Sequence, residues 1–397
     1  MTDKPLGLSG KPVNKAYMDQ KQVIKTALAA ADHAILLDTP AQISRAAKAW
    51  RRCSLLGLDT EFVRERTYYA NLGLVQISDG QTVWLLDPLV DGALAPLADL
   101  LSDHSIRKVF HSPSEDLEVL LNETGAVPDP LIDTQLACAM AGQSLQMGYH
   151  VAVEWLLQVE IDKELTRSNW MARPLKPELL RYAALDVCLL PFMWQLLEER
   201  LQKLGRLEWL QEDCARQLAR ARQELRPDEA WQRIRGTGRL DGKALAILSE
   251  LAAWREKKAR KRNLPRGFII PDTALLTLAR ERVQSRSALE QVEGIHPRAA
   301  QRHGQALTEL ISQAAEADRT LPPPPTLSPA QRKLLKQLRH TVQQKADSLH
   351  VDPALLATKK DMEQIILAGA DQPLPKRLDG WRHEVVTGAL LKKRDET

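Results

Sequence analysis

Two apolar runs of strand length, Leu72–Ser78 and Thr82–Leu86, are separated by Asp79-Gly80, and this pairing limits the fold more than any other local feature. A tight turn needs positive φ, which Gly supplies and Asp tolerates, so the two runs predict a β-hairpin. A third apolar run, Ser54–Leu58, precedes them. A helical pattern at Leu94–Ser102, a short strand at Lys108–Phe110 and a second helix from about Glu115 follow. Three consecutive strands and then alternating helix and strand predict an α/β domain, a mixed sheet flanked by helices, over residues 31–205.

Residues 1–30 read as an N-terminal extension with a short helix around Gln20–Ala31. Beyond Leu204 the pattern is helical almost throughout. Leu245, Leu248 and Ala252 fall at i, i+3 and i+7, with Asp241 placed to cap the start. Pro322–Pro325 cannot continue a helix and predicts a stiff spacer over 320–328, between helical domains at 222–319 and 329–397. Asp272, Ala274, Leu275 and Leu276 match Asp352, Ala354, Leu355 and Leu356 at an offset of 80, so the two helical domains are expected to be repeats. The four cysteines (53, 138, 188 and 214) form no CxxC pair, which argues for free thiols over a zinc site or disulfides. No uninterrupted apolar run approaches the ~18 residues of a membrane span. The N-terminus also lacks the charged-then-apolar order of a secretory signal, so a cytoplasmic protein without a membrane partner is expected.

The net charge of +4 hides a split: residues 1–205 carry −6 and residues 206–397 carry +10. A basic tail suits a polyanionic partner. Arg255, Lys257, Lys258, Arg260, Lys261, Arg262 and Arg266 lie within twelve residues, opposed only by Glu256. Seven cations so close repel one another, and a phosphate backbone is the natural ligand to relieve them.

Four acidic residues stand apart. Asp59 and Glu61 follow the apolar run that ends at Leu58. Strand alternation puts both carboxylates on one face and points Thr60 the other way. Asp116 opens a helix, and Tyr182 and Asp186, at i and i+4, share a helix face. Two like charges at the edge of a core need a cation or a proton to offset them. His111 ends a strand and reads as structural, and Asp133 as the cap of a helix starting at Thr134.

In this order Asp59-x-Glu61, Asp116 and Tyr182-x-x-x-Asp186 resemble the three motifs of the four-acidic-residue exonucleases, in their tyrosine-bearing subtype. Arg181 stands where the other subtype has a histidine. The surrounding text is similar to the ribonuclease D family: Asp59-Thr60-Glu61-Phe62 runs on to Arg64-Glu65, Thr67-Tyr68 and Leu74-Val75-Gln76. His111-Ser112 precedes Glu115-Asp116, Asp133-Thr134-Gln135 follows, and Ser168-x-Trp170 leads to Arg173-Pro174-Leu175. Trp254-Arg255-Glu256, Ala259 and Asn263-x-Pro265 resemble the helicase-and-RNase-D C-terminal (HRDC) domain.

The resemblance implies a ribonuclease H-like exonuclease domain followed by one or two small all-α HRDC-type domains. It implies a 3′–5′ exoribonuclease that trims tRNA precursors and other small structured RNAs to release 5′-nucleoside monophosphates. Two divalent ions, Mg²⁺ or Mn²⁺, would be held by Asp59, Glu61, Asp116 and Asp186, and Tyr182 would orient the attacking water. Phe62, Trp170, Arg173, Arg255, Lys257, Lys258, Arg260, Lys261 and Arg262 are the candidate RNA contacts. RNA is the expected partner of a monomeric protein. No GxxxxGK[ST] occurs, so ATP is not an expected ligand. A 3′–5′ DNA exonuclease is the alternative enzyme, and a non-catalytic RNA-binding adaptor the alternative outside catalysis.

Overall fold

In the computed structural model the described residues are 15–161, 168–223, 226–317, 319–323, 325–368 and 373–396. The chain forms two compact units. One comprises residues up to Glu61, Leu72–Leu218 and Leu349–Leu355. The other comprises Phe62–Asn71, Ala219–Ser348 and Leu356–Thr397.

The first unit is built on a six-stranded mixed sheet of β1 (Ile35–Leu37), β2 (Leu55–Val63), β3 (Asn71–Ser78), β4 (Val83–Leu86), β5 (Arg107–Phe110) and β6 (Leu131–Asp133), in the order β1-β4-β3-β2-β5-β6. The expected hairpin is present: β3 and β4 pair antiparallel, and Gly80 adopts φ 87°. Asp79 Oδ1 closes the turn by accepting the amides of Gln81 at 2.8 Å and Thr82 at 2.7 Å. β2 and β5 run parallel with Gly57 opposite Val109, and β5 and β6 are parallel with Phe110 opposite Asp133. Parallel neighbours end on the same sheet edge, so the segments that follow β2, β5 and β6 emerge together. β2 does not stop at Leu58 as its apolar run suggested, but continues through Asp59, Thr60 and Glu61.

Helices α1 (Lys15–Asp32), α2 (Pro40–Trp50), α3 (Leu94–Ser102), α4 (Ser114–Thr124), α5 (Thr134–Met140), α6 (Tyr149–Leu157), α7 (Pro177–Cys188), α8 (Leu190–Lys203) and α9 (Leu207–Arg222) complete this unit and lead out of it. α1 is longer than the short helix expected there, and it packs on α7 through a unit in which Ala27, Ala30 and Ala31 are buried. Residues 1–14 of the expected extension lie outside the described residues. The stretch Pro177–Lys203 is long and apolar enough by composition to span a membrane, with mean hydropathy 1.2, but 61% of that window is buried within the fold. Its apolar surface therefore serves the core.

The second unit is helical. α10 (Gly242–Arg262), α11 (Arg266–Ile269), α12 (Asp272–Glu281), α13 (Arg286–Glu290) and α14 (Pro297–Glu316) close around a core that includes Leu245, Leu248, Leu251, Leu275, Leu278 and Leu307. Asp241 caps α10, its Oδ1 accepting the Ala244 amide at 2.7 Å. After the proline run, of which Pro324 lies outside the described residues, come α15 (Pro329–Leu349), α16 (Pro353–Leu356), α17 (Lys359–Leu367) and α18 (Gly388–Asp395). The expected register of 80 is incorrect. It sets the start of α12 against the start of α16, a ten-residue helix against a four-residue one. The starts of α10, α11 and α12 instead precede those of α15, α16 and α17 by 87 residues, with matching lengths of 21 and 21, 4 and 4, and 10 and 9. Asp-x-Ala-Leu-Leu suits any helix start, so four matched residues aligned elements that are not equivalent.

Candidate active site

The parallel β2–β5 pair determines where the acids meet. With Gly57 opposite Val109, Asp59 and Glu61 lie at the level where β5 gives way to the Ser112–Pro113 turn, and Asp116 follows in the first turn of α4. Asp116 is 8% exposed, and its Oδ1 accepts a hydrogen bond from the Thr60 hydroxyl. Thr60 was expected to face away. The β2–β5 pairing is recorded as far as Gly57, and beyond it the Thr60 hydroxyl reaches the Asp116 carboxylate at the start of α4.

Gly57 also positions the fourth acid. A Cβ there would stand 2.8 Å from Leu190 Cβ, 3.0 Å from Pro191 Cδ and 3.2 Å from the Val187 carbonyl oxygen. Only glycine lets the α7–α8 junction lie on β2, and that contact carries Asp186, one residue before Val187, to the strand. Tyr182, one turn earlier, hydrogen-bonds the Asp186 carboxylate. The buried Tyr149 hydroxyl donates to the Leu185 carbonyl at 3.0 Å and braces the same turn. His150 Nε2 lies 3.7 Å from Asp186 Oδ1. Thr60, Tyr149 and His150 had no signal in the sequence, since their roles depend on which strand end and helix turn they meet.

Electrostatics show that the four carboxylates share one space. Burial, then repulsion from Asp116, Asp186 and Glu61, raises the Asp59 carboxyl well above its usual range. Burial and the charges of Asp186 and Asp116 push Glu61 up to about 8. Burial raises Asp186 to about 7 against the Tyr182 hydrogen bond, and Asp116 to about 6 against the Thr60 bond. The Tyr182 phenol is raised above its ordinary value, chiefly by burial and then by Asp186 and Glu61, so it stays protonated. Among the described residues no Lys or Arg pairs with any of the four acids. An all-oxygen set with uncompensated negative charge fits hard divalent cations such as Mg²⁺ or Mn²⁺. Among the described residues no three His, Cys, Asp or Glu side chains already stand at ligating spacing. The mutually repelling carboxylates would draw together around an ion.

Several other predicted residues do different work. Asp133 caps α5, its Oδ1 accepting the Gln135 amide at 2.9 Å and the Ser112 amide at 3.0 Å. His111 bridges Thr134 Oγ1 at 2.9 Å and the Met147 carbonyl at 2.8 Å. The Arg173 guanidinium is engaged on every side. It holds both Asp87 oxygens at 2.6 and 2.7 Å, the Gly73 carbonyl at 2.7 Å and the Trp170 and Ala172 carbonyls at 2.8 Å. Five acceptors leave it none of the donors an RNA contact would need. Trp170 is buried and packs 6.3 Å from the Tyr182 ring, so it supports the tyrosine from behind. Phe62, near the end of β2, is half-buried.

The basic cluster also divides in two. Arg255 is buried at 4% exposure, with Nη2 2.7 Å from Asp272 and Nη1 donating to the Ile270 carbonyl at 2.8 Å. Arg260 and Arg266 bond Glu256 at 3.1 and 2.5 Å, and Tyr68 donates its hydroxyl proton to the same carboxylate. Burial alone would raise the Glu256 carboxyl, but these partners hold it below its usual value. Arg255 and Arg260 thus serve the fold of the helical unit instead of presenting charge to a ligand. Lys257, Lys258, Lys261 and Arg262 remain at or near the surface of α10.

Residues 35–202 match the 3′–5′ exonuclease family and residues 244–311 the HRDC domain. The chain is 41% identical over 357 residues to ribonuclease D of Pseudomonas paraeruginosa, spanning 88% of this chain and 95% of that one. It is 34% identical over 364 residues to ribonuclease D of Escherichia coli, spanning 89% and 96%. The crystal structure of E. coli RNase D matches with a TM-score of 0.84 at 33% identity, over 91% of this chain and 99% of that chain. The catalytic core of RRP6 from Trypanosoma brucei, 20% identical with a TM-score of 0.56, shares the fold over 71% of this chain and 79% of its own. With both domains in family order and relatives aligned over nearly their whole length, the chain belongs to the ribonuclease D family of 3′–5′ exoribonucleases.

Proposed function

We propose that the protein trims the 3′ ends of tRNA precursors and other small structured RNAs, releasing 5′-nucleoside monophosphates. The observation that carries this reading is the group of four carboxylates that raise one another's proton affinity beside a tyrosine hydroxyl, with no Lys or Arg partner among the described residues. Its E. coli relative is described as an exoribonuclease involved in structured RNA processing. Asp59, Glu61 and Asp186 would hold one divalent cation, and Asp59 with Asp116 a second. Such a pair, Mg²⁺ or Mn²⁺, supplies a nucleophile from water at neutral pH and relieves charge on the attacking and leaving oxygens. The Thr60 hydroxyl keeps Asp116 oriented. Tyr182 remains a proton donor, steadying Asp186 and the attacking water by hydrogen bonding rather than acting as a base.

Residues 31–205 are assigned as the exonuclease domain, 222–319 as the HRDC domain and 329–397 as a second, HRDC-like domain whose helix lengths follow the first. The purified protein on a 3′-extended tRNA, with Mg²⁺ and then with EDTA, tests the reading. Stepwise shortening with release of nucleoside monophosphates, stopped by EDTA, is expected. Unchanged cleavage in EDTA would overturn it, and faster digestion of a matched DNA strand would turn the assignment to a DNA exonuclease.

A further inference from the structure

His150 stands beside the acids on α6, a helix that carries none of them. Its Nε2 lies 3.7 Å from Asp186 Oδ1, with the His150 side chain 18% and the Asp186 side chain 12% exposed. A gap that wide is no hydrogen bond. It does suit two atoms that share an ion, since ligands each about 2.1 Å from one metal stand between about 3 and 4.2 Å apart. Tyr182 hydrogen-bonds the same carboxylate, and the charge of Asp186 bears on Asp59 and Glu61. The imidazole nitrogen therefore borders the space that the acids share. Contacts on both sides fix its place. Before it, the Met147 carbonyl accepts from His111 Nε2 at 2.8 Å and from Gln135 Nε2 at 3.0 Å. Next to it, the Tyr149 hydroxyl donates at 3.0 Å to the carbonyl of Leu185, the neighbour of Asp186. These bonds tie the start of α6 to the turn of α7 that bears Asp186, so the ring is preorganised beside the carboxylate. The other histidine nearby, His111, uses both ring nitrogens on Thr134 Oγ1 and the Met147 carbonyl.

We propose that His150, through Nε2, is a nitrogen ligand to the divalent cation that Asp186 holds. The proposal rests on the four-carboxylate cation site of the exoribonuclease reading above, and it changes what that site selects. Carboxylates suit Mg²⁺ and Mn²⁺ alike. Imidazole binds transition-metal ions well, whereas Mg²⁺ takes oxygen ligands and keeps its waters. One nitrogen among the oxygens therefore tips the site toward Mn²⁺, while the carboxylates still admit Mg²⁺.

The test uses the untagged full chain with substoichiometric Mn²⁺, read by electron spin echo envelope modulation, which detects nitrogen bonded to the ion. Wild-type protein should show the ¹⁴N coupling of a coordinated imidazole, replaced by a ¹⁵N coupling when the histidines are ¹⁵N-labelled. That arm needs no substitution. His150→Phe keeps a ring in the same place without a nitrogen and should abolish the coupling. In calorimetry the variant should bind Mn²⁺ more weakly by about tenfold or more, the loss that even an outer-shell partner produces. Its Mg²⁺ affinity should be nearly unchanged. Mn²⁺ bound to the wild type without nitrogen coupling, or a coupling that survives in His150→Phe, would overturn the ligand. Equal losses of Mn²⁺ and Mg²⁺ affinity would overturn it too, since the ring would then only support the fold around Asp186. A full chain that binds no Mn²⁺ at all would instead overturn the four-carboxylate site on which the proposal rests.

Discussion

At the scale of single residues, the five groups that the structure draws together were all readable in the sequence, because each had a positional cue. Asp59 and Glu61 sat at the end of an apolar strand, Asp116 at a helix start, and Tyr182 and Asp186 one helical turn apart. Asp59→Asn should remove several kcal/mol of transition-state stabilisation, over about 10³-fold in kcat, while RNA binding in EDTA persists. Undiminished kcat would defeat the assignment. Tyr182→Phe keeps the ring against Trp170 but loses the hydroxyl, and should lower kcat by about 10²-fold with KM little changed. Thr60 was read only as pointing away from Asp59 and Glu61, because its hydrogen bond to Asp116 depends on where the start of α4 lies in space. Arg173 and Arg255 were read as RNA contacts because a sequence shows charge and not partners. Five acceptors around one guanidinium and a buried ion pair with Asp272 become visible only in three dimensions.

At the scale of elements, strands and helices were placed well where apolar spacing or turn chemistry marked them, as at β3, β4 and α3. β2 was cut short because its continuation through Asp59 and Glu61 is polar, and the helical repeat was set in the wrong register by residues common to many helix starts. Two close contacts hold the elements that carry the site. Gly57→Ala would drive a methyl into Leu190 and Pro191, and overpacking should cost about 1–3 kcal/mol. Because the strain falls on the α7–α8 junction beside Asp186, kcat should fall along with the thermal midpoint. A fall in stability alone, with full kcat, would show that the helix retains its place. Lys108, fully buried, anchors β5 by donating to the carbonyls of Asp103, Ile106 and Asp129 at 2.7, 2.9 and 2.6 Å. Lys108→Ala leaves three acceptors without their donor and should cost at least about 2–3 kcal/mol in chemical denaturation. A change below about 0.5 kcal/mol would show that water replaces the ammonium.

At the scale of the whole molecule, the acidic front and basic tail were plain from composition, but which acids repel one another was not. Glu61, Asp186 and Asp116, raised to about 8, 7 and 6 from ordinary values of 4.5 and 3.8, bind more protons folded than unfolded. Their contribution is therefore complete below about pH 4 and is lost as pH rises through 6 to 8. Metal-free protein should show a falling thermal midpoint over that range, and saturating Mg²⁺ should level it. Equal slopes with and without Mg²⁺ would mean that the acids do not bind the ion. Finally, the strand bearing Asp59 and Glu61 runs without a break into Phe62–Asn71, which packs with the helical unit. There Asn263 Oδ1 accepts the amides of both Tyr68 and Tyr69 at 3.0 Å, and Arg266 reaches the Tyr68 hydroxyl at 2.9 Å. A protein engineer who amputates the tail to obtain a minimal nuclease would therefore be untying a knot made from the nuclease's own thread, one residue past Glu61.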